Sequence, residues 1–210
     1  VDLFDFELPP ERIALRPVSP RDAARMLCVS GDGGLEDANV LDLPSRLRAG
    51  DCLVFNDTRV IPAQLEGVRR TFKGDEARVG ATFHKRLDLR RWQAFIRNAK
   101  RLQAGDRIDF GQNVSAIAQE RLPDGSFHLL FEGEEPVEVL LERAGRMPLP
   151  PYIANKRGAD AQDRADYQTM FAERDGAVAA PTASLHFTAE LMDRLADAGI
   201  GNERLTPFPV

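Results

Sequence analysis

Two short apolar runs constrain this chain most, because each stops abruptly in a cluster of hydrogen-bonding side chains. In the first, Leu53-Val54-Phe55 gives way to Asn56-Asp57-Thr58-Arg59 before apolar character resumes at Val60-Ile61-Pro62. A wholly apolar segment this short suits a strand buried on both faces. Asn and Asp at its end can bond local backbone and close a turn. In the second, Gly176-Ala177-Val178-Ala179-Ala180 runs into the proline-kinked Pro181-Thr182-Ala183-Ser184-Leu185-His186-Phe187-Thr188. Strand ends of this kind are where α/β sheets place ligands. Read alone, the first cluster is a turn. Two such clusters that can converge form a candidate site.

Between them the texture changes. Residues 64 to 133 carry short β-like runs separated by turn signals: Trp92 to Ile96, Arg107 to Phe110, Val114 to Ala118 and Phe127 to Phe131. Pro123-Asp124-Gly125 marks a hairpin between the last two. Many short strands with frequent turns predict a small barrel or sandwich. Pro136 to Ala144 follows as a helix with Val137, Leu140, Leu141 and Ala144 on one face and Gly145 as its stop. The expected fold is therefore a multidomain α/β (α+β) one. A larger α/β domain over 1–63 and 146–210 is interrupted by a small antiparallel β-barrel domain over 64–145.

Other segments are read more coarsely. Ala23 to Val29 is a strand or a short helix. Asp42 can cap a helix over Leu43 to Ala49. Met147 to Ile153, rich in proline, is stiff and extended. Asn155 to Gln162 is polar and expected to be mobile, and Asp163 to Phe171 can form a short helix. Thr188 caps a further helix to Ala198, which Gly199 ends. The stretches Arg46 to Phe55 and Arg101 to Phe110 echo one another, each entering a strand through Ala-Gly-Asp. The first continues fully apolar and is expected to be central; the second alternates and is expected to be wet on one face.

Composition narrows the function classes. Of 210 residues, 43% are apolar and 29% charged, as in an ordinary globular protein. No apolar run approaches a membrane span, and the N-terminus does not read as a signal peptide. Cys28 and Cys52 are too few for a disulfide framework, and no Cys/His set has zinc spacing. A cytoplasmic protein without a metal is the expectation. A net charge of −5 argues against coating nucleic acid by bulk charge. Yet Lys85, Arg86, Arg90, Arg91, Arg97, Lys100, Arg101 and Arg107 are opposed locally only by Asp88 and Asp106, with Trp92 and Phe95 interleaved. That pattern suits a structured RNA backbone or, equally, a solvated sheet face with Trp92 in the core.

Several stretches carry a resemblance. Leu53 to Ala63 and Gly176 to Ala183 with Leu185 to Thr188 are similar to two signatures of the S-adenosylmethionine:tRNA ribosyltransferase-isomerase family of queuosine biosynthesis. Met147 to Ile153, Asp166 to Thr169, Phe4 to Pro9 and Arg21-Asp22 resemble further parts, in order along almost the whole chain. The departures are Ser184, where the family usually has glycine, and the end. There, Pro207-Phe208-Pro209-Val210 directly follows Leu205-Thr206, without the family's intervening His- and Gly-containing segment. The family also extends further, so the chain is expected to be truncated.

The resemblance implies that the ribosyl group of S-adenosylmethionine is transferred and isomerised onto 7-aminomethyl-7-deazaguanine in tRNA. The product is epoxyqueuosine-tRNA, with adenine and methionine released. Such chemistry needs a base, a proton donor to adenine and groups holding the methionine end. His186 is the acid/base candidate, since its free pKa lies near neutrality; the alternative is a core histidine. Asp57 is placed with it as catalytic. Asn56, Thr58, Arg59, Pro181, Thr182, Tyr167 and Gln168 are the substrate-binding candidates, and Lys85, Arg86, Arg90, Arg91, Arg97, Lys100 and Arg101 the tRNA-binding ones. Each has a structural alternative: an Asp57–Arg59 brace, loop caps, or a core Tyr167. The partners implied are that tRNA and S-adenosylmethionine, with the protein a monomer. A second reading is a non-catalytic RNA-binding β-module on an α/β scaffold. Methyl transfer is a weaker third, because no Gly-rich loop follows the first strand.

Overall fold

The structure, a computed structural model, describes residues 5–71 and 74–207. Phe4 and the terminal Phe208-Pro209-Val210 lie outside the described residues. No helix among those described is long and apolar enough to cross a membrane.

After two 3-10 turns over Pro10–Arg12 and Arg21–Ala23, the chain forms a hairpin. Strands β1 (Arg25–Val29) and β2 (Leu35–Asn39) pair antiparallel across a turn in which Gly33 adopts φ +87°. The segment that could have been helix or strand is thus a strand. The helix expected over Leu43 to Ala49 is instead a six-residue 3-10 turn over Val40–Ser45 with Pro44 inside it. Asp42 does not cap that turn as its first residue. Its carboxylate reaches back to accept the Asn39 N–H at 2.9 Å. Then come β3 (Cys52–Asn56) and β4 (Thr58–Val60).

The β-rich block closes on itself. Strands β5 (Gln64–Arg70), β6 (Glu76–Arg86), β7 (Arg91–Arg97), β8 (Arg107–Gly111), β9 (Val114–Arg121) and β10 (Phe127–Phe131) form a closed antiparallel barrel in the order β5-β6-β7-β10-β9-β8. Period-two alternation explains it: Leu65, Val79, Ala81, Phe83, Ile108, Ala116 and Leu129 turn inward and are buried. The hairpin at Pro123 to Gly125 forms as expected, with the Leu122 N–H donating to the Ser126 carbonyl at 2.8 Å. Helix α1 (Val137–Ala144) adds Val137, Leu140 and Leu141 to the barrel's core.

The chain enters and leaves this barrel at one point. Gln64 and Arg146 exchange backbone hydrogen bonds of 3.2 and 2.8 Å. Beside them, a Cβ on Gly145 would lie 2.0 Å from the Pro62 carbonyl oxygen and 2.4 Å from that of Leu141. Both are backbone atoms that cannot swing aside, so glycine is required there by close approach.

The return path holds α2 (Pro151–Ala154), α3 (Asp163–Asp166), β11 (Arg174–Ala177), a 3-10 turn over Thr182–His186, α4 (Ala189–Asp197) and β12 (Gly201–Leu205). β12 lies parallel to β3, and β11 parallel to β4. Thr188 caps α4 as expected, accepting the Leu191 N–H at 3.2 Å. Leu191 and Leu195 pack with Val40 and Ile200. The architecture is the mixed α/β one expected, with parallel pairs and helices around a closed barrel.

Two strand expectations need correction. β3 is not buried on both faces: Phe55 is buried, but Val54 is 65% exposed. Among the described residues β3 pairs only with β12, and nothing covers its outer side. The second strand runs from Arg174 rather than from Gly176 and is at most half-buried. Of the echo contrast, the second half holds, since β8 buries Ile108 and Phe110 in the barrel and leaves Arg107, Asp109 and Gly111 on its wetter face, whereas β3 is not the central strand expected. The turn chemistry of the echo also holds. Gly50 and Gly105 take φ +94° and +90°, while Asp51 and Asp106 accept the N–H three residues back at 2.8 and 3.0 Å.

The polar segment after α2 is pinned. Asp163, with no exposed surface, accepts from Arg157 at 2.6 and 3.0 Å, from Arg16 at 3.0 Å and from the Asp160 amide at 2.8 Å. Burial pushes its carboxyl pKa up. The Arg157 and Asp160 hydrogen bonds, with the charges of Arg157 and Arg16, outweigh burial and hold it below the usual carboxylate value. A depressed carboxylate pKa stabilises the fold fully above the unfolded value near pH ~4, and that stability is lost as pH falls through the folded pKa.

Two outcomes follow. Asp163→Asn lowers unfolding free energy by about 3 kcal/mol at neutral pH and flattens the acid limb of a stability–pH curve, read from denaturant midpoints. Gly145→Ala, clashing with two carbonyls, costs about 1–3 kcal/mol in the same measurement. An unchanged midpoint would contradict the close approach.

Candidate functional site

The two signature segments are neighbours. In the parallel β4–β11 pair, Thr58, Arg59 and Val60 lie opposite Arg174, Asp175 and Ala177, and the Ile61 N–H donates to the Ala177 carbonyl at 3.0 Å. Asn56 turns the chain from β3 into β4: its side-chain oxygen accepts the Thr58 N–H at 2.8 Å and the Thr58 hydroxyl at 2.6 Å. Asp57 sits inside that bend and is only 4% exposed. Its N–H donates to Leu205, and its carbonyl accepts from Glu173 and Arg174. One carboxylate oxygen accepts the Thr206 hydroxyl at 2.9 Å. The other, Oδ1, is buried with no partner among the described residues. A buried carboxylate oxygen without a donor is set to accept one from a bound molecule. Arg59 does not brace Asp57. It makes an exposed 3.6 Å pair with Asp175 across the strand register.

The second cluster reaches the first through aromatic packing. Phe55 stacks on Phe171 at 4.0 Å and meets Phe187 edge-on at 4.8 Å, so His186 and Asp57 each lie within two residues of one ring cluster. Arg21 fixes this region by donating to the carbonyls of Ala165, Gln168 and Leu185 at 2.6, 2.8 and 3.2 Å. Asp22 accepts the Thr188 hydroxyl. His186 is half-buried, and its ring has no hydrogen-bond partner among the described residues. Pro181 is half-buried and Thr182 exposed. Ser184 is buried within the 3-10 turn and is not among the residues at positive φ, so the loop does not need the family's glycine there.

Tyr167 and Gln168 are placed differently from each other. The Gln168 amide is engaged with the backbone: it donates to the Val60 carbonyl at 2.7 Å and accepts the Val60 N–H at 3.1 Å. It serves β4 as a substitute strand partner along the edge away from β11. Tyr167 is half-buried, and burial first, then its neighbours Tyr152 and Asp163, raise its phenol pKa.

The basic run, continuous in sequence, is divided in space. Lys85, Arg86, Arg90 and Arg91 flank the β6–β7 turn, while Arg97, Lys100 and Arg101 follow the far end of β7. A seven-residue strand separates them by roughly 20 Å at ~3.3 Å per residue. Arg86, Arg97 and Arg107 pair with Glu138, Glu66 and Glu132 at 2.8, 2.6 and 2.7 Å, and Arg91 pairs with Asp88. Trp92 is buried and Phe95 is exposed.

The structure also brings together residues that the sequence did not single out. A cavity of about 510 Å³ lies where the barrel meets the β4–β11 pair, with Ile61, His84, Trp92, Glu138, Asp175 and Gly176 among its walls. The register of β6 against β7 slips at His84, between Phe83 opposite Ala94 and Lys85 opposite Gln93. Such bulges re-aim a side chain. No local pattern announces the slip, because it depends on pairing between strands.

Comparison with known proteins gives one consistent result. A family model described as "Queuosine biosynthesis protein" matches residues 1–206. Proteins named S-adenosylmethionine:tRNA ribosyltransferase-isomerase are similar to the chain. The one from Sphingopyxis alaskensis is 70% identical over 98% of this chain and 57% of its own length. The one from Zymomonas mobilis is 61% identical over 98% and 58%. A crystal structure of S-adenosylmethionine tRNA ribosyltransferase from Thermotoga maritima is 27% identical, with a TM-score of 0.36, covering 96% of this chain and 56% of that one. The chain thus spans less than two thirds of the length of these relatives. With the family model matching all but its last four residues, this chain belongs to the queuosine biosynthesis protein family.

Proposed function

We propose that the protein carrying this sequence is an S-adenosylmethionine:tRNA ribosyltransferase-isomerase, acting on 7-aminomethyl-7-deazaguanine in tRNA and releasing adenine and methionine. The observation that supports this reading is the pairing of β4 with β11, which brings the first signature, with Asp57 and its buried oxygen unpartnered among the described residues, beside the start of the second. The names of the relatives support ribosyl transfer and isomerisation from S-adenosylmethionine to tRNA; the acceptor base and the products belong to the proposal.

The chemistry follows from the substrate. A sulfonium acidifies the adjoining ribose carbon, so a base can take its proton; adenine then departs with a proton from an acid. The amine of the modified base adds, and epoxide closure expels methionine. In this reading His186, with a free ring, moves protons. Asp57 Oδ1 accepts from a ribose hydroxyl or the methionine amine, and Thr206 orients that carboxylate. Asn56, Thr58, Gln168 and Arg21 hold the bend that presents it. Arg59, Pro181, Thr182 and Tyr167 border the substrate. The barrel over 64–145 is an insertion in a main domain made of 1–63 and 146–210. Its two basic groups, about 20 Å apart, suit two separate points of contact along an RNA backbone rather than one patch.

Incubating the intact protein that carries this sequence with S-adenosylmethionine and tRNA bearing the aminomethyl-deazaguanine is expected to release adenine and add a ribosyl-sized mass to the tRNA. Binding of tRNA with the cofactor untouched would instead favour the non-catalytic RNA-binding module. His186→Ala and Asp57→Asn are each expected to lower kcat by about 100-fold or more with circular dichroism unchanged. Near-full turnover in either variant assigns that residue a structural role.

A further inference from the structure

Among the described residues, five buried side-chain polar atoms lack a hydrogen-bond partner, and three of the five, His84 Nε2, Trp92 Nε1 and Glu138 Oε2, belong to residues lining the cavity at the barrel junction. Native folds hold few such atoms, because each costs about 1–3 kcal/mol when left unpaired. Three gathered around one space of about 510 Å³, within the ordinary range for small-molecule sites, mark a place for a ligand.

The walls state what kind of ligand. Ile61, Phe83, Leu89, Pro136, Val178 and the Trp92 indole supply apolar and aromatic surface, which suits a flat ring. The charges do not favour an anion: Glu138 and Asp175 are the negative groups of the lining, its one cation, Arg86, is already paired with Glu138 Oε1 at 2.8 Å, and Arg59, outside the lining, is paired with Asp175 at 3.6 Å. A phosphate or carboxylate would therefore meet no unpaired cation in the lining. The open polar atoms are one donor, the Trp92 N–H, one acceptor, Glu138 Oε2, and the His84 ring nitrogen. His84 stacks on Phe95 at 4.6 Å and is presented by the bulge in β6. Burial lowers its pKa, which keeps the ring neutral at neutral pH.

We propose that this cavity seats a purine or 7-deazapurine base whose edge donates an N–H to Glu138 Oε2 and accepts the Trp92 N–H. The assignment rests on the reaction proposed above, which offers two such bases. Adenine sets its amino N–H beside N1; the deazaguanine sets its ring N–H beside a carbonyl oxygen. Both present the same adjacent donor and acceptor.

Trp92 is the sole tryptophan of the chain, so its emission reports occupancy directly. Titrating the 210-residue chain with S-adenosylmethionine in one arm and free 7-aminomethyl-7-deazaguanine in the other is expected to give a saturable change in at least one. The arm that saturates identifies which base occupies the cavity. Glu138→Gln, which keeps size but turns an acceptor into an amide, is expected to raise Kd about tenfold or more. Val178→Phe, which fills the space, is expected to abolish the response. No emission change with either probe, or a Kd within twofold in a folded Glu138→Gln, overturns the proposal. Adenine release by a protein whose Trp92 emission never responds would remove the cavity assignment and leave the reaction standing. Glu138-dependent base binding without transfer to tRNA would do the reverse.

Discussion

The peptide groups of Asp57 hold the candidate site together. Its N–H fixes the end of β12 and its carbonyl fixes the start of β11, so one bend passes the chain from one parallel pair to another. A parallel pair needs a long crossover, because the second strand must return to the same end of the sheet. Between β4 and β11 that crossover is the entire barrel with α1, α2 and α3. The sequence distance between the two signature segments is thus a consequence of their being parallel neighbours.

Such a long excursion requires a well-defined gate. The reciprocal Gln64–Arg146 bonds supply it, and the approach of Gly145 to the Pro62 carbonyl leaves room for hydrogen alone. Closing the barrel pairs both edges of every strand from β5 to β10, which removes the liability that an open antiparallel sheet would otherwise carry. The barrel shares its core with the segments on either side of it, since Ile61 is buried among barrel side chains and Val178 packs against them.

The barrel was legible because its determinants are local: alternation inside Phe127–Phe131, the Pro123 to Gly125 turn, and the apolar face of α1. The capping by Thr188 and the Ala-Gly-Asp turns belong to the same class. What failed depended on neighbours. An apolar triplet such as Leu53-Val54-Phe55 reports affinity for burial, but whether Val54 is covered depends on which elements lie across the sheet. Lys85 to Arg101 read as one cluster because sequence proximity hides the length of the strand between them. Gln168 looked free to recognise a base, whereas its amide completes the edge of β4, a contact 108 residues away in the chain. His84 drew no role because a bulge arises from pairing. Asp57 was singled out by its place at a strand end and by the family resemblance, whereas its oxygen without a partner among the described residues required the fold.

Four of the five unpaired polar atoms among the described residues divide between two places that β11 connects, the fifth being Arg69 Nε on β5. The amides of Glu173 and Arg174 bond the Asp57 carbonyl, while Asp175, Gly176 and Val178 border the cavity. Arg174 and Gly176 are two residues apart, so their Cα atoms are separated by at most about 7 Å. Orphaned acceptors scattered at random would be a packing fault. An orphaned carboxylate oxygen at the strand crossing and three orphaned polar atoms around the adjoining cavity leave polar groups unsatisfied where one extended ligand could satisfy both sets. Unsatisfied polar groups gathered at a strand crossing and an adjoining cavity are the form in which folded proteins carry local cost at functional sites. The second signature begins on β11, at Gly176 and Ala177, and the pairing of that strand with β4 sets it beside the first.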